Sequence, residues 1–332
     1  MKKHLGNIIK LFVGALISTL LILYLANKID YEKTKEIISD IDWTFFIIMI
    51  ICSGLSHISR GLRWSILLED QGMRVSKKGL IAGTFVGYFI NIVFPRAGEV
   101  ARCTSVSYKY GLPADKLLGT VVLERVIDMF MLLSCIGLVL FLDFDLFGGF
   151  FEERWIELNN MFSNLIPILI GLLVTGIIGL FFLFTYRNRI SLFTKVYTFF
   201  KGIIEGLLSL RKLKRKGLFI FHTLFIWIMY LSMSYIPFRA FQAIENYDVT
   251  KALFVFILGG IGMTIPAPGG IGSYQYVVIT GMTNVLNTVE EVAAAYAFSV
   301  HTILTLFTIT AGIIASIYLF KGKKHDGLTT SE

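Results

Sequence analysis

The chain has 332 residues, 55% of them hydrophobic and 16% charged, with a mean hydropathy of +0.71 and a net charge of +8. A soluble fold of this size carries about a quarter charged residues, so the composition excludes one and predicts a polytopic membrane protein. The positive excess sits in short loops between apolar runs, where the positive-inside rule accounts for it without any nucleic acid.

Gly6 to Ala26 follows Lys2, Lys3 and His4. It is long for the core of a signal peptide and no small-residue cleavage site follows, so it reads as a retained span. The loop Asn27–Asp42 sets Lys28, Lys33 and Lys35 against Asp30, Glu32, Glu36, Asp40 and Asp42, which places it outside. Trp43 to about Ser59 returns to Arg60, Arg63, Arg74, Lys77 and Lys78, on the inside. Gly79 to Tyr108 is then interrupted by Phe94-Pro95-Arg96-Ala97-Gly98, and basic residues flank both of its ends. Proline ends a helix, so this segment reads as a re-entrant hairpin entering from the cytoplasm with its tip at Pro95.

Leu117 to Leu142 crosses outward to Asp143, Asp145, Glu152, Glu153 and Glu157. Asn164 to Thr185 crosses back to the basic loop Arg187–Lys216, whose middle, Ile190 to Leu210, alternates apolar and basic residues. That loop either lies on the inner lipid surface or simply fixes orientation. Leu218 to Phe238 crosses outward. Ala252 to Leu286, broken at Ile265-Pro266-Ala267-Pro268-Gly269-Gly270, lies between acidic or neutral loops and reads as a hairpin entering from outside. Val292 to Phe320 ends at Lys321, Lys323 and Lys324.

The expected fold is thus a single all-α membrane domain over residues 1–332. It is an inverted repeat of two units, 1–150 and 151–325, each of three spans plus one Pro/Gly-broken re-entrant hairpin. The hairpin tips meet near the midplane and both termini are cytoplasmic. Eight or more complete spans result instead if either hairpin crosses fully. Broken segments at corresponding places in two halves point to a transporter's substrate site.

Arg96, Glu99 and Arg102 follow the first break, and Glu124, Arg125 and Asp128 lie inside the next span. Residues 124 and 128 share a helical face, and Arg125 reaches Asp128 at i+3. Charges at this depth pair with one another or line a wet cavity. One reading is an ion-pair clamp between hairpin and helix. The other is a phosphate site built from Arg96, Arg102, Arg125 and Arg63, with Glu99, Glu124 and Asp128 orienting the arginines or taking protons. Arg60-Gly61-Leu62-Arg63-Trp64 reads as an anchor at the inner interface, unless Arg63 points into the cavity.

In the second break, Pro266, Gly269, Gly270, Gly272, Ser273 and Tyr274 open a half-helix whose free N–H groups suit an anion, or they make a tight turn. His57 and His301 are lone histidines, weak candidates for a relay. Cys52, Cys103 and Cys135 lie at no metal-ligand spacing, and neither metal nor cofactor is expected.

Four stretches occur in order: Arg60-Gly61-Leu62-Arg63-Trp64, Asn91 through Arg102, Glu124-Arg125-Val126-Ile127-Asp128, and Ile265 through Gln275. Together they resemble the lysylphosphatidylglycerol synthase transmembrane-region family, the UPF0104-type flippase-like domain proteins found as the membrane half of bacterial MprF. The resemblance covers nearly the whole chain. It implies a flippase for an anionic phospholipid, aminoacylated or not, or for a polyprenyl-phosphate-linked lipid, in a bacterial plasma membrane. The family's soluble aminoacyl-transferase domain has no counterpart before Glu332, so no enzyme activity is expected. Gln275 stands where many relatives carry an acidic residue. The competing readings are a membrane scaffold that binds an envelope or glycosyltransferase partner through Arg187–Lys216, and a lipid-phosphate enzyme.

Overall fold

The computed structural model describes residues 2–143 and 213–321. The span expected at Asn164–Thr185 and most of the acidic and basic loops around it lie outside these residues. So does the chain end beyond Lys321. By internal contacts the chain forms one unit from residues 1–142 with 215–332 and a second from residues 143–214. All the elements below belong to the first.

The described residues are helical throughout, with no strand among them. In chain order the helices are α1 (Lys2–Lys28), α2 (Tyr31–Ser39), α3 (Trp43–Asp70), α4 (Lys77–Val93), α5 (Gly98–Tyr110) and α6 (Ala114–Leu142). After these come α7 (Lys216–Tyr235), α8 (Val249–Thr264), α9 (Ser273–Leu286) and α10 (Glu290–Phe320). Trp43–Asp70, Ala114–Leu142, Lys216–Ala240 and Glu290–Phe320 are long and apolar enough to cross a membrane. The α1 helix turns into α2 through a 91° bend.

Local chemistry sets the boundaries. Asp30, Asp42 and Asp248 cap α2, α3 and α8 by accepting the backbone N–H groups of Lys33, Thr44 and Lys251, as short acceptor side chains do at helix starts. Gly111 closes α5 with φ 70°, in the left-handed region where glycine adds no strain.

Both broken segments fold back on themselves. In the first, Gly79, Gly83 and Gly87 recur every fourth residue along α4 and face Tyr110, Val106 and Gly98 of α5 in reverse order. A methyl group on Gly87 would sit 2.9 Å from the Gly98 carbonyl oxygen. Backbones this close leave no room for a side chain, so the glycine row makes the hairpin. The second hairpin repeats the device, with Gly262 against Ser273 and Tyr274 and Gly281 against Leu258. The two tips touch: Ile92 lies 3.2 Å from the position a Gly269 side chain would take.

The α3 helix departs from expectation. It runs well beyond Ser59 to Asp70, and Trp64 is fully buried, donating its indole N–H to the Thr120 hydroxyl at 2.8 Å. Trp64 therefore joins an apolar core with Leu68, Leu80, Cys103, Val106, Leu117 and Val121 rather than anchoring at an interface.

Candidate functional site

Where α3, α5 and α6 meet, apolar packing gives way to charge. Arg60 and Arg63, one turn apart on α3, share the two oxygens of Asp128: Arg60 Nη2 to Oδ2 at 2.8 Å, Arg63 Nη2 to Oδ1 at 2.9 Å. One turn earlier on α6, Glu124 takes Arg102 Nη1 at 2.7 Å and lies 3.8 Å from Arg63 Nε. Arg63 and Glu124 are fully buried, and Arg60 and Arg102 nearly so. The i, i+4 spacing of the two carboxylates puts them on one face, and that face selects the partners.

Aromatic and hydroxyl groups complete the shell. Arg102 lies 3.9 Å over the Trp64 ring, a favourable place for a guanidinium. Arg60 Nη1 donates to the Tyr230 hydroxyl at 2.8 Å, which lies 3.1 Å from the Tyr88 hydroxyl. Arg63 Nη1 reaches the Thr223 hydroxyl at 3.4 Å, and Ser59 bonds His222 Nδ1 at 2.8 Å. Through these contacts α7 joins the cluster.

A second pair is looser. Arg125 Nε sits 3.4 Å from Glu99 Oε1, and its Nη1 sits 3.7 Å from Asp128 Oδ2. Both Arg125 and Glu99 are partly exposed, at 43% and 31% of their side chains. They line a small open cleft with Thr84, Gly87, Tyr88, Asn91, Gly98 and Arg102.

The cleft lies against the amino terminus of α5, whose partial positive charge favours an anion. Asn91 accepts the Gly98 N–H at 2.7 Å and fixes that end. Arg102 lines the cleft, and its buried Nε and Nη2 have no hydrogen-bond partner, as is also true of Nε in Arg60 and Arg63. A buried guanidinium with open donors is costly unless something fills them. The cluster of Arg60, Arg63, Arg102 and Arg125 against Glu99, Glu124 and Asp128 carries one net positive charge.

The structure therefore brings together Arg63, Glu99, Arg102, Glu124, Arg125 and Asp128 from the sequence reading, and adds Arg60, Tyr88, Asn91 and Tyr230. Arg96 stands apart at the hairpin tip, exposed, with Nη2 3.3 Å from the Thr264 carbonyl oxygen of the other hairpin. The second break forms its own network. Gln275 Oε1 accepts the Gly272 N–H at 2.8 Å, and Gln275 Nε2 lies 3.0 Å from His301 Nδ1. His301 Nε2 lies 3.0 Å from the Gly269 carbonyl, and Tyr274 stacks on the His301 ring at 4.7 Å.

Ser273 donates to the Gly270 carbonyl, and Pro266 faces Gly14 of α1. None of Pro266, Gly269, Gly270, Gly272, Ser273 or Tyr274 lines the cleft. His57 packs against Tyr88 with ring centroids 4.2 Å apart and the rings tilted, and it does not line the cleft. Among the described residues, no group of His, Cys, Asp and Glu could hold a metal ion.

Comparison with known proteins bears on the resemblance. A UPF0104 membrane protein of Methanocaldococcus jannaschii is 23% identical, covering 94% of this chain and 96% of its own length. A UPF0104 membrane protein of Pyrococcus horikoshii is 24% identical over 36% of the chain and 37% of its own length. The glycosyltransferase AglD of Haloferax volcanii is 26% identical over 40% of the chain and 21% of its own length. No solved structure matches. The family model described as the lysylphosphatidylglycerol synthase TM region matches residues 11–312, so this multi-pass membrane protein belongs to that family.

Proposed function

We propose that the protein is a carrier, without enzyme activity, that moves an anionic lipid across the cytoplasmic membrane. The substrate is a phospholipid, aminoacylated or not, or a polyprenyl phosphate. The observation that carries this reading is the open cleft that Arg102 and Arg125 line together at the amino terminus of α5. These groups converge as a phosphate site does, with charge-assisted donors from a fixed fork and from backbone. The head group would pass through the cleft while the tails stay in lipid.

In this reading the hairpins α4–α5 and α8–α9 enter from opposite faces as parts of an inverted repeat. Their contact at Ile92 and Gly269 would be the crossing point. The termini would be cytoplasmic, as the loop charges require.

The test is movement of a fluorescent phosphatidylglycerol between leaflets of phosphatidylcholine vesicles holding the purified protein. Wild type should accelerate it, and Arg125→Gln should slow it by about tenfold or more. Equal rates in the two proteins would refute the site.

The match to AglD favours a second reading, in which the chain is a membrane partner of a glycosyl-transfer reaction. That reading predicts co-purification with a glycosyltransferase and no effect of Arg125→Gln on lipid movement.

A further inference from the structure

We infer that Glu99 is a tethered counter-ion, an internal stand-in for the lipid phosphate, which allows the emptied carrier to return. This deepens the anionic-lipid reading and rests on it.

The three carboxylates of the cluster are not equivalent. Glu124 and Asp128 are held at 2.7–2.9 Å by Arg102, Arg60 and Arg63, and those contacts tie α3, α5 and α6 together. Among the described residues Glu99 has one ion contact, Arg125 at 3.4 Å, which is longer than the contacts that hold Glu124 and Asp128. It occupies the first turn of α5, inside the cleft. The groups facing it are Arg125 of α6, Arg102 one turn along its own helix, and Tyr88 and Asn91 of α4. Its carboxylate thus sits where an incoming phosphate would sit, beside the same guanidinium and the same helix end.

Two anions cannot share that place in a medium of low dielectric, so a phosphate that reaches Arg125 displaces Glu99. The converse step matters more. When the lipid leaves, Arg125 would keep only Asp128, at 3.7 Å and already shared with Arg60 and Arg63, so the emptied cleft would hold excess positive charge. The return of Glu99 cancels that charge. A carrier deprived of Glu99 would hold anionic lipid more tightly and would change conformation mainly when loaded. It would trade one lipid for another, yet fail to move lipid in one direction only.

The experiment compares wild type, Glu99→Gln and Glu99→Gln/Arg125→Gln, each checked for monodispersity and reconstituted in phosphatidylcholine vesicles. Fluorescent phosphatidylglycerol starts in one leaflet, and the other leaflet holds either none (net movement) or the unlabelled lipid (exchange). For Glu99→Gln, phosphatidylglycerol affinity should rise about five- to tenfold. The ratio of net movement to exchange should fall by about tenfold. The double variant restores charge balance, so its ratio should return to the wild-type value even though both of its rates are lower.

A Glu99→Gln protein whose ratio matches wild type, whether both rates fall or neither does, overturns the inference and leaves the lipid site standing. A wild-type protein that neither binds nor moves phosphatidylglycerol sinks the site and the inference together.

Discussion

Arg96 holds φ at 65°, a left-handed conformation that a side chain pays to adopt, and Gly269 holds φ 58° in the other hairpin, also just after a proline. A non-glycine residue kept there suggests a task for its guanidinium, which bridges the hairpin tips at Thr264. Arg96→Gly should therefore stabilise the fold by up to about 1 kcal/mol while slowing lipid movement. Melting in detergent and the vesicle assay read the two effects separately.

The buried arginines should behave in the opposite way. Arg63→Ala leaves Glu124 and Asp128 short of a partner and should cost about 3–5 kcal/mol. Arg125→Gln, at a partly exposed pair, should cost under about 1 kcal/mol. Glu124 and Asp128 were legible in the sequence because carboxylates are rare inside an apolar run. Arg60 was not, because an arginine near a tryptophan reads equally well as the end of a span. Tyr230 lies in an aromatic-rich helix and carries no signal of its own.

The paired helices depend on glycine more than on their apolar content. Gly87→Ala would press a methyl against the Gly98 carbonyl, and a backbone atom cannot step aside as a flexible side chain can. It should cost roughly 1–3 kcal/mol by thermal melting. At the α2 and α3 caps, backbone N–H bonds from Lys33 and Thr44 hold the Asp30 and Asp42 carboxyls below their ordinary value. The folded state therefore binds fewer protons than the unfolded chain. This contribution is complete above the ordinary carboxylate range, near pH 3.9, and is lost as pH falls through the depressed folded values. Acidification from about pH 5 to about pH 3 should lower the melting temperature of wild type more than that of Asp30→Asn/Asp42→Asn, since asparagine caps without titrating. Both breaks were legible from proline and glycine alone. The length of α3 was not, because the charges at Arg60 and Arg63 imitate the end of an apolar span, whereas both are buried in the protein and paired with Asp128.

At the scale of the whole molecule, the two hairpin tips touch at Ile92 and Gly269, and the proposed inverted repeat makes a prediction about which face each hairpin enters from. Single cysteines at Lys77 and Lys116 should react with an impermeant maleimide only from the cytoplasmic side, and those at Glu36 and Asp248 only from outside. Labelling of Lys77 and Lys116 from opposite sides would mean that the first hairpin crosses completely. What the sequence could not show was the division of labour among the charges. It offered a clamp or a binding site, whereas three dimensions show both: a buried clamp of Arg60, Arg63, Glu124 and Asp128, an open cleft at Glu99 and Arg125, and Arg102 belonging to each. The central claim is that this cleft holds the phosphate of an anionic lipid. Native mass spectrometry of wild type and Arg125→Gln, purified from the same membranes, tests it most directly. The account predicts a phospholipid or polyprenyl phosphate retained by wild type and depleted in the variant, whereas the same lipids in the same proportions on both proteins would contradict it.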